Sequence, residues 1–167
     1  MGADRIPMEL LNAQSAIEES QELVEDLKHI GQRTPGRALD LAKKLLTDFD
    51  AVHAKIRASY GRGFDDEARQ CESYLYKRQA DVAIALLFSL PFGMEEGRCW
   101  SGRAEEWLKE SFRLYPTMQV RFHLANLYAS LERYAEALTE AQAVAQSDDP
   151  RIRAAAQQFI QEVRQEM

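Results

Sequence analysis

Cysteine is nearly missing from this chain: Cys71 and Cys99 are the only two in 167 residues, and they stand far apart. That excludes a disulfide framework and a cysteine-based zinc site, and it fits reduced thiols in a cytoplasmic protein. A basic excess is missing too. The net charge of -6 and pI near 5.2 disfavour a nucleic-acid role, which calls for a basic face. No apolar run spans a bilayer: the longest, Val82 to Phe92, is short and is interrupted by Ser89 and Pro91, so no membrane segment is expected. The N-terminus has no apolar signal core. Met1-Gly2 suggests myristoylation, but Ile6 stands where Ser or Thr is wanted.

Catalytic and cofactor signals are equally sparse. His29, His53 and His123 have no His or Cys companion at ligand spacing. Gly61-Arg62-Gly63 follows no strand and reads as a helix–helix turn rather than a phosphate loop. Glu18/Glu19, Glu95/Glu96 and Glu105/Glu106 are sequence neighbours, so on a helix their side chains diverge. The expectation is no catalytic residue, no cofactor and no metal. No strand pattern, low-complexity segment or interdomain linker interrupts the chain.

What is present is helical periodicity. Apolar content of 46% with 29% charge suits one soluble domain with a real core. Leu10, Leu11, Ile17, Leu23, Val24, Leu27 and Ile30 form a stripe after Pro7, stopped by Gly31. Thr34-Pro35 reads as a cap before a second stripe, from Leu39 to Ile56, closed by Gly61 and Gly63. A third helix follows Asp65-Asp66-Glu67, where carboxylates suit the dipole. Its second half, Ala80 to Phe88, is apolar nearly all round, which predicts burial on most sides. Pro91 breaks it, and residues 92–101 read as a loop. Further helices are predicted over about 102–114, 117–131, 133–147 and 150–166. Residues 1–30 hold seven acids and residues 31–63 seven bases. This predicts two adjacent helices with complementary faces, the alternative being a docking stripe.

A pattern also repeats. Ala104, Leu108, Ser111 and Pro116 recur as Ala137, Ala141, Val144 and Pro150, the first three at 33 residues and the proline at 34. Such a period marks stacked helical hairpins. The second copy extends back through Leu124-Ala125-Asn126-Leu127-Tyr128 and Tyr134. It resembles the tetratricopeptide repeat (TPR), with Leu124, Ala125, Tyr128, Ala137 and Pro150 at signature positions. Arg121 stands where the family has Trp and Ala141 where it has Phe. Ala125 and Ala137 fit a close approach of two antiparallel helices.

The resemblance implies an all-α, right-handed α-α superhelix of about seven antiparallel helices. Residues 1–73 would be a helical N-terminal extension packed on the stack. Residues 74–167 would hold the repeats and a capping helix, in one continuous domain. In this family the first helix of each hairpin lines a groove, which here assigns Gln119, Phe122, Asn126, Ala129 and Ser130 to a partner-binding face. Phe122 occupies the place where a chaperone-tail clamp would need Lys, so no such partner is expected. Phe92, Met94 and Trp100 make a second candidate, a binding loop; the alternative is that Phe92 and Trp100 fold back over the hairpin end. The implied function is non-catalytic protein or peptide binding, as adaptor, co-chaperone or assembly scaffold. A homodimer through the N-terminal helices is an open alternative, as is a small helical enzyme or ligand-binding domain with a pocket near residues 80–100.

Overall fold

The computed structural model describes residues 6–167. Met1-Gly2 and the charges of Asp4 and Arg5 lie outside the described residues. Among the described residues there are seven α-helices and no strand: α1 Met8–Arg33, α2 Pro35–Ala58, α3 Asp65–Ser89, α4 Met94–Leu114, α5 Met118–Ser130, α6 Tyr134–Val144 and α7 Pro150–Glu166. None is long and apolar enough to cross a membrane. The chain divides into two compact units, residues 1–115 and 116–167. The boundary expected at residue 73 falls inside α3.

In the first unit α3 packs against α1, α2 and α4, and α1 against α2. Ala68, Cys71, Leu75, Val82, Ala83 and Leu86 are all buried on α3, so this helix is enclosed from several sides. Leu10, Ile17 and Leu27 of α1 and Ile56 of α2 are fully buried, on the stripes that the 3.6-residue period marks.

Two boundaries differ from the sequence reading. Gly31 does not stop α1; it is buried within it. A Cβ there would lie 2.8 Å from Ser89 Cβ and 3.1 Å from Leu90 Cδ1. The glycine is a close-approach residue where α1 meets the end of α3. The loop expected over 92–101 is also mostly helix. Only Leu90 to Gly93 separate α3 from α4, and Glu95 and Glu96 occupy the first turn of α4, where carboxylates favour helix. Gly97 costs some helix propensity but is half-buried in this helix.

The other signals act locally. Thr34 holds the N-cap position of α2 but makes no side-chain capping bond; Pro35 at the first helical position supplies the start. Gly61 and Gly63 take positive φ, 82° and 89°, in the turn between α2 and α3. α1 and α2 pack side by side, and no ion pair joins the acids of α1 to the bases of α2 among the described residues. Glu18, Glu19, Glu22, Lys43, Lys44 and Lys55 are all exposed, and Arg62 of the turn reaches Glu9 at 3.5 Å instead. The charges sit on outward faces because the facing sides are apolar.

The second unit is a hairpin of α5 and α6 with α7 packed mainly on α6. Ala125, Ala137 and Ala141 are fully buried, and their small side chains permit a close crossing. Thr117 Oγ1 accepts from Val120 N–H at 3.2 Å and Asp149 Oδ1 from Arg151 N–H at 2.9 Å, capping α5 and α7. Glu132, with φ 60°, ends α5 in a left-handed turn. Arg133 N–H donates to Tyr128 O at 2.8 Å and Glu132 N–H to Ala129 O at 3.0 Å, the bond pair of a Schellman cap.

Candidate functional site

The α5–α7 unit carries an open cleft of about 460 Å³, lined by Ala129, Tyr134, Phe159, Glu162, Val163, Gln165 and Glu166. Its construction follows from helix geometry. Leu124, Ala125, Leu127 and Tyr128 of α5 are buried, which turns Gln119, Phe122, Asn126, Ala129 and Ser130 away from that core. On α7, Phe159, Glu162, Val163 and Glu166 fall at i, i+3, i+4 and i+7, one face of the helix.

These residues fare differently. The Phe122 ring packs against Phe159, centroids 5.4 Å apart and tilted by 59°, a favourable edge-on geometry. Phe122 is therefore a half-buried support that fixes Phe159, not an exposed contact. Asn126 Nδ2 donates to Phe122 O and Ser130 Oγ to Asn126 O, both at 2.9 Å. Each side chain lies along its own helix, exposed on the surface beside the cleft. Gln119 is exposed. Of the five, Ala129 lines the cleft.

The turn between α5 and α6 is tied down. Arg133 donates from Nε and Nη2 to the Glu136 carboxylate at 2.7 and 2.6 Å, and its guanidinium lies 4.6 Å from the Tyr128 ring centroid. Arg121 Nε donates to Glu140 at 2.9 Å and joins α5 to α6. The sequence reading missed Tyr134 and the α7 residues. The Phe159/Val163 stripe was legible, but as the buried face of a cap; that its last turns overhang a cleft depends on where α7 sits on α6.

The loop candidates separate. Phe92 and Trp100 stack, centroids 6.3 Å apart and 19° between planes, and Trp100 is 7% exposed with the Arg103 guanidinium 5.0 Å from its ring centroid. Met94 is 77% exposed. Phe92 and Trp100 therefore close the hairpin end, and only Met94 is presented to solvent.

Buried polar chemistry concentrates in the first unit, on α3. His53 Nε2 meets Gln79 Oε1 at 2.5 Å, and the His53 ring lies 4.7 Å from that of Tyr76. His53 Nδ1 is buried with no hydrogen-bond partner among the described residues. Tyr60 OH donates to Glu72 at 3.0 Å. Arg78, 5% exposed, donates to Tyr74 OH at 2.7 Å and to Asp81 at 3.5 Å. These groups bond one another across α2, α3 and the turn between them, and leave two buried nitrogens, His53 Nδ1 and Arg78 Nε, without a hydrogen-bond partner among the described residues. Among the described residues no group of three or more His, Cys, Asp and Glu side chains could hold a metal ion.

Burial first, then the Glu72 charge, keeps the Tyr60 phenol protonated far above its ordinary range. The same two causes push the Cys71 thiol up to about 12. At pH 8 only about one Cys71 in 10⁴ is thiolate, the reactive form. Ellman's reagent is expected to modify exposed Cys99 promptly and buried Cys71 only on unfolding. Two thiols reacting at one fast rate in the native protein would contradict this burial. The sign for stability follows. The unfolded chain releases the Cys71 proton near 9.0 and the folded chain near 12. This contribution is complete below pH 9 and is lost as pH rises through that window.

Compared with known proteins, the chain matches no family model, no curated protein and no solved structure.

Proposed function

We propose that this protein is a non-catalytic binding module, TPR-like in its second unit, that receives a protein or peptide segment in the α5–α7 cleft. The observation that carries the reading is the cleft itself. It joins an apolar floor of Ala129, Phe159 and Val163 to polar groups at its edge, Glu162, Gln165 and Glu166. Its volume lies within the roughly 300–1,000 Å³ of ligand-sized pockets, but it is open, which suits a side chain delivered by a larger partner. The small residues Ala125 and Ala137 at full burial, with the 33-residue spacing, support the TPR-like reading. The module would act as an adaptor or assembly scaffold. Two unpaired cysteines, one buried and one exposed, support a reducing, cytoplasmic setting.

A photo-crosslinking amino acid tests this at three exposed positions: Asn126 beside the cleft, Gln165 in it, and Gln157 on the back of α7. In lysate of the source organism, one polypeptide adduct is expected from the first two positions, suppressed by excess unmodified protein. None is expected from Gln157. Equal adducts at all three positions, or none at Asn126 and Gln165, would overturn the reading.

A further inference from the structure

We infer that the segment received by the cleft is basic: an aliphatic or aromatic side chain with Lys or Arg within about one helical turn of it. This inference rests on the binding reading above and adds the chemistry of the occupant. The floor of the cleft is apolar, and its α7 edge carries Glu162 and Glu166. These two are i and i+4, so their side chains stand about 6 Å apart on consecutive turns. Neither forms a salt bridge among the described residues. Among the described residues Glu162 accepts from the Gln158 amide at 3.1 Å, and Glu166 has no ion pair. Two bases of this unit, Arg133 and Arg164, are committed or turned away. Arg133 is held by Glu136 and the Tyr128 ring, and Arg164 projects from the side of α7 opposite Glu162 and Glu166 by the 100° helical step.

Two uncompensated carboxylates beside an apolar floor favour a cation attached to an apolar group. They repel an acidic peptide, a phosphate backbone and an anionic membrane alike. The chain's net charge of -6 acts in the same direction at longer range. The pairing is electrostatic at an exposed edge, so each carboxylate contributes modestly and salt weakens the sum.

The test uses the full chain and three fluorescein-labelled 12-residue peptides, read by fluorescence anisotropy. One peptide combines Leu and Lys, the second replaces each Lys by Glu, and the third replaces each Leu by Ser. The Leu/Lys peptide is expected to bind about tenfold more tightly than either other peptide. Glu162→Gln/Glu166→Gln should weaken it about fivefold, as two exposed charge contacts would. Glu162→Lys/Glu166→Lys should reverse the preference toward the Leu/Glu peptide. Both pairs are exposed, so circular dichroism and Tm should not change. A Glu18→Gln/Glu22→Gln/Glu25→Gln variant of α1 should bind like wild type; binding that follows those residues instead overturns the inference. So does an unchanged preference in the charge-reversed variant. Ala129→Gln separates the two levels. If the Leu/Glu peptide binds wild type best and Ala129→Gln abolishes it, the cleft stands and its basic occupant does not. If no peptide responds to Ala129→Gln, both fall.

Discussion

Replacing Ser111 with Leu should cost about 3–5 kcal/mol, enough to remove much of the stability of a domain this size. The cause is a reciprocal contact between α3 and α4. Ser73 Oγ lies 2.7 Å from Ser111 O, Ser111 Oγ lies 2.7 Å from Ser73 O, and the two hydroxyl oxygens are 2.9 Å apart. Each helix thus approaches the other closely enough for its side chain to bond the partner's backbone carbonyl. Ser111 is fully buried and Ser73 nearly so. Leu adds two heavy atoms and a branch, cannot enter without separating the helices, and removes a buried donor as well.

The smaller substitutions test the same geometry. Ser111→Ala alone should cost about 1–2 kcal/mol, because it removes the bond to Ser73 O and the contact with the Ser73 hydroxyl. Ser73→Ala/Ser111→Ala should cost less than the sum of the singles by a few tenths of a kcal/mol up to about 1 kcal/mol, since each single already loses the one contact the two side chains share, the 2.9 Å hydroxyl–hydroxyl approach. Urea denaturation gives all four values. Additive serine effects together with a Ser111→Leu cost below about 1 kcal/mol would mean a looser crossing than the structure has.

This pair shows what the sequence could and could not reveal. Ser111 sits in the 33-residue period opposite Val144, and both are fully buried. The repeat therefore locates a packing position. It does not disclose that Ser111 meets Ser73, because that contact spans 38 residues and depends on the register of α3 against α4. Helix bodies were legible for a simpler reason. Their apolar stripes follow a local period, and prolines at 35, 91 and 150 stand at or beside helix ends.

Two boundary readings differ from the structure for different reasons: in the sequence Gly31 reads as the stop of α1, and residues 92–101, which include Gly97, as a loop after Pro91. Gly31 is required inside α1 by Ser89, which lies far away in sequence. Gly97 has no such neighbour; its nearest contact would be Leu87 Cδ1 at 4.0 Å, and α4 simply tolerates it. Local propensity cannot separate these cases. The buried α3 polar groups were hidden by the same limit. Gln79 and Arg78 look like surface residues until His53 from α2, with Tyr74 and Asp81 on α3 itself, is placed against them. In the cleft, Ala129 was within reach of helical spacing from Phe122. The acidic edge was not, because Glu162 and Glu166 resemble any solvated pair until α7 lies across the hairpin.

The glycine at 31 gives the other large expected effect, one whose sign opposes the usual expectation. In an exposed helix interior, Gly→Ala stabilises by about 1 kcal/mol. At Gly31 the added methyl would lie 2.8 Å from Ser89 Cβ, an atom fixed directly to the α3 backbone that cannot swing aside. Overpacking of this kind costs about 1–3 kcal/mol, so Gly31→Ala should be net destabilising by up to about 2 kcal/mol. Gly31→Leu adds three heavy atoms beyond the Cβ that already crowds Ser89 and Leu90 Cδ1, and should lose about 3 kcal/mol or more. Ser89→Gly should rescue Gly31→Ala. Removing the opposing Cβ relieves the overlap, so the double mutant should be more stable than the sum of the singles by about 1 kcal/mol or more. Thermal and urea unfolding measure each corner of this cycle. A Gly31→Ala protein more stable than wild type by the full helix-propensity gain would show that α1 and α3 can move apart at no cost. Destabilisation that Ser89→Gly relieves would place the constraint at this contact, since substitution at 89 cannot change the helix propensity of residue 31.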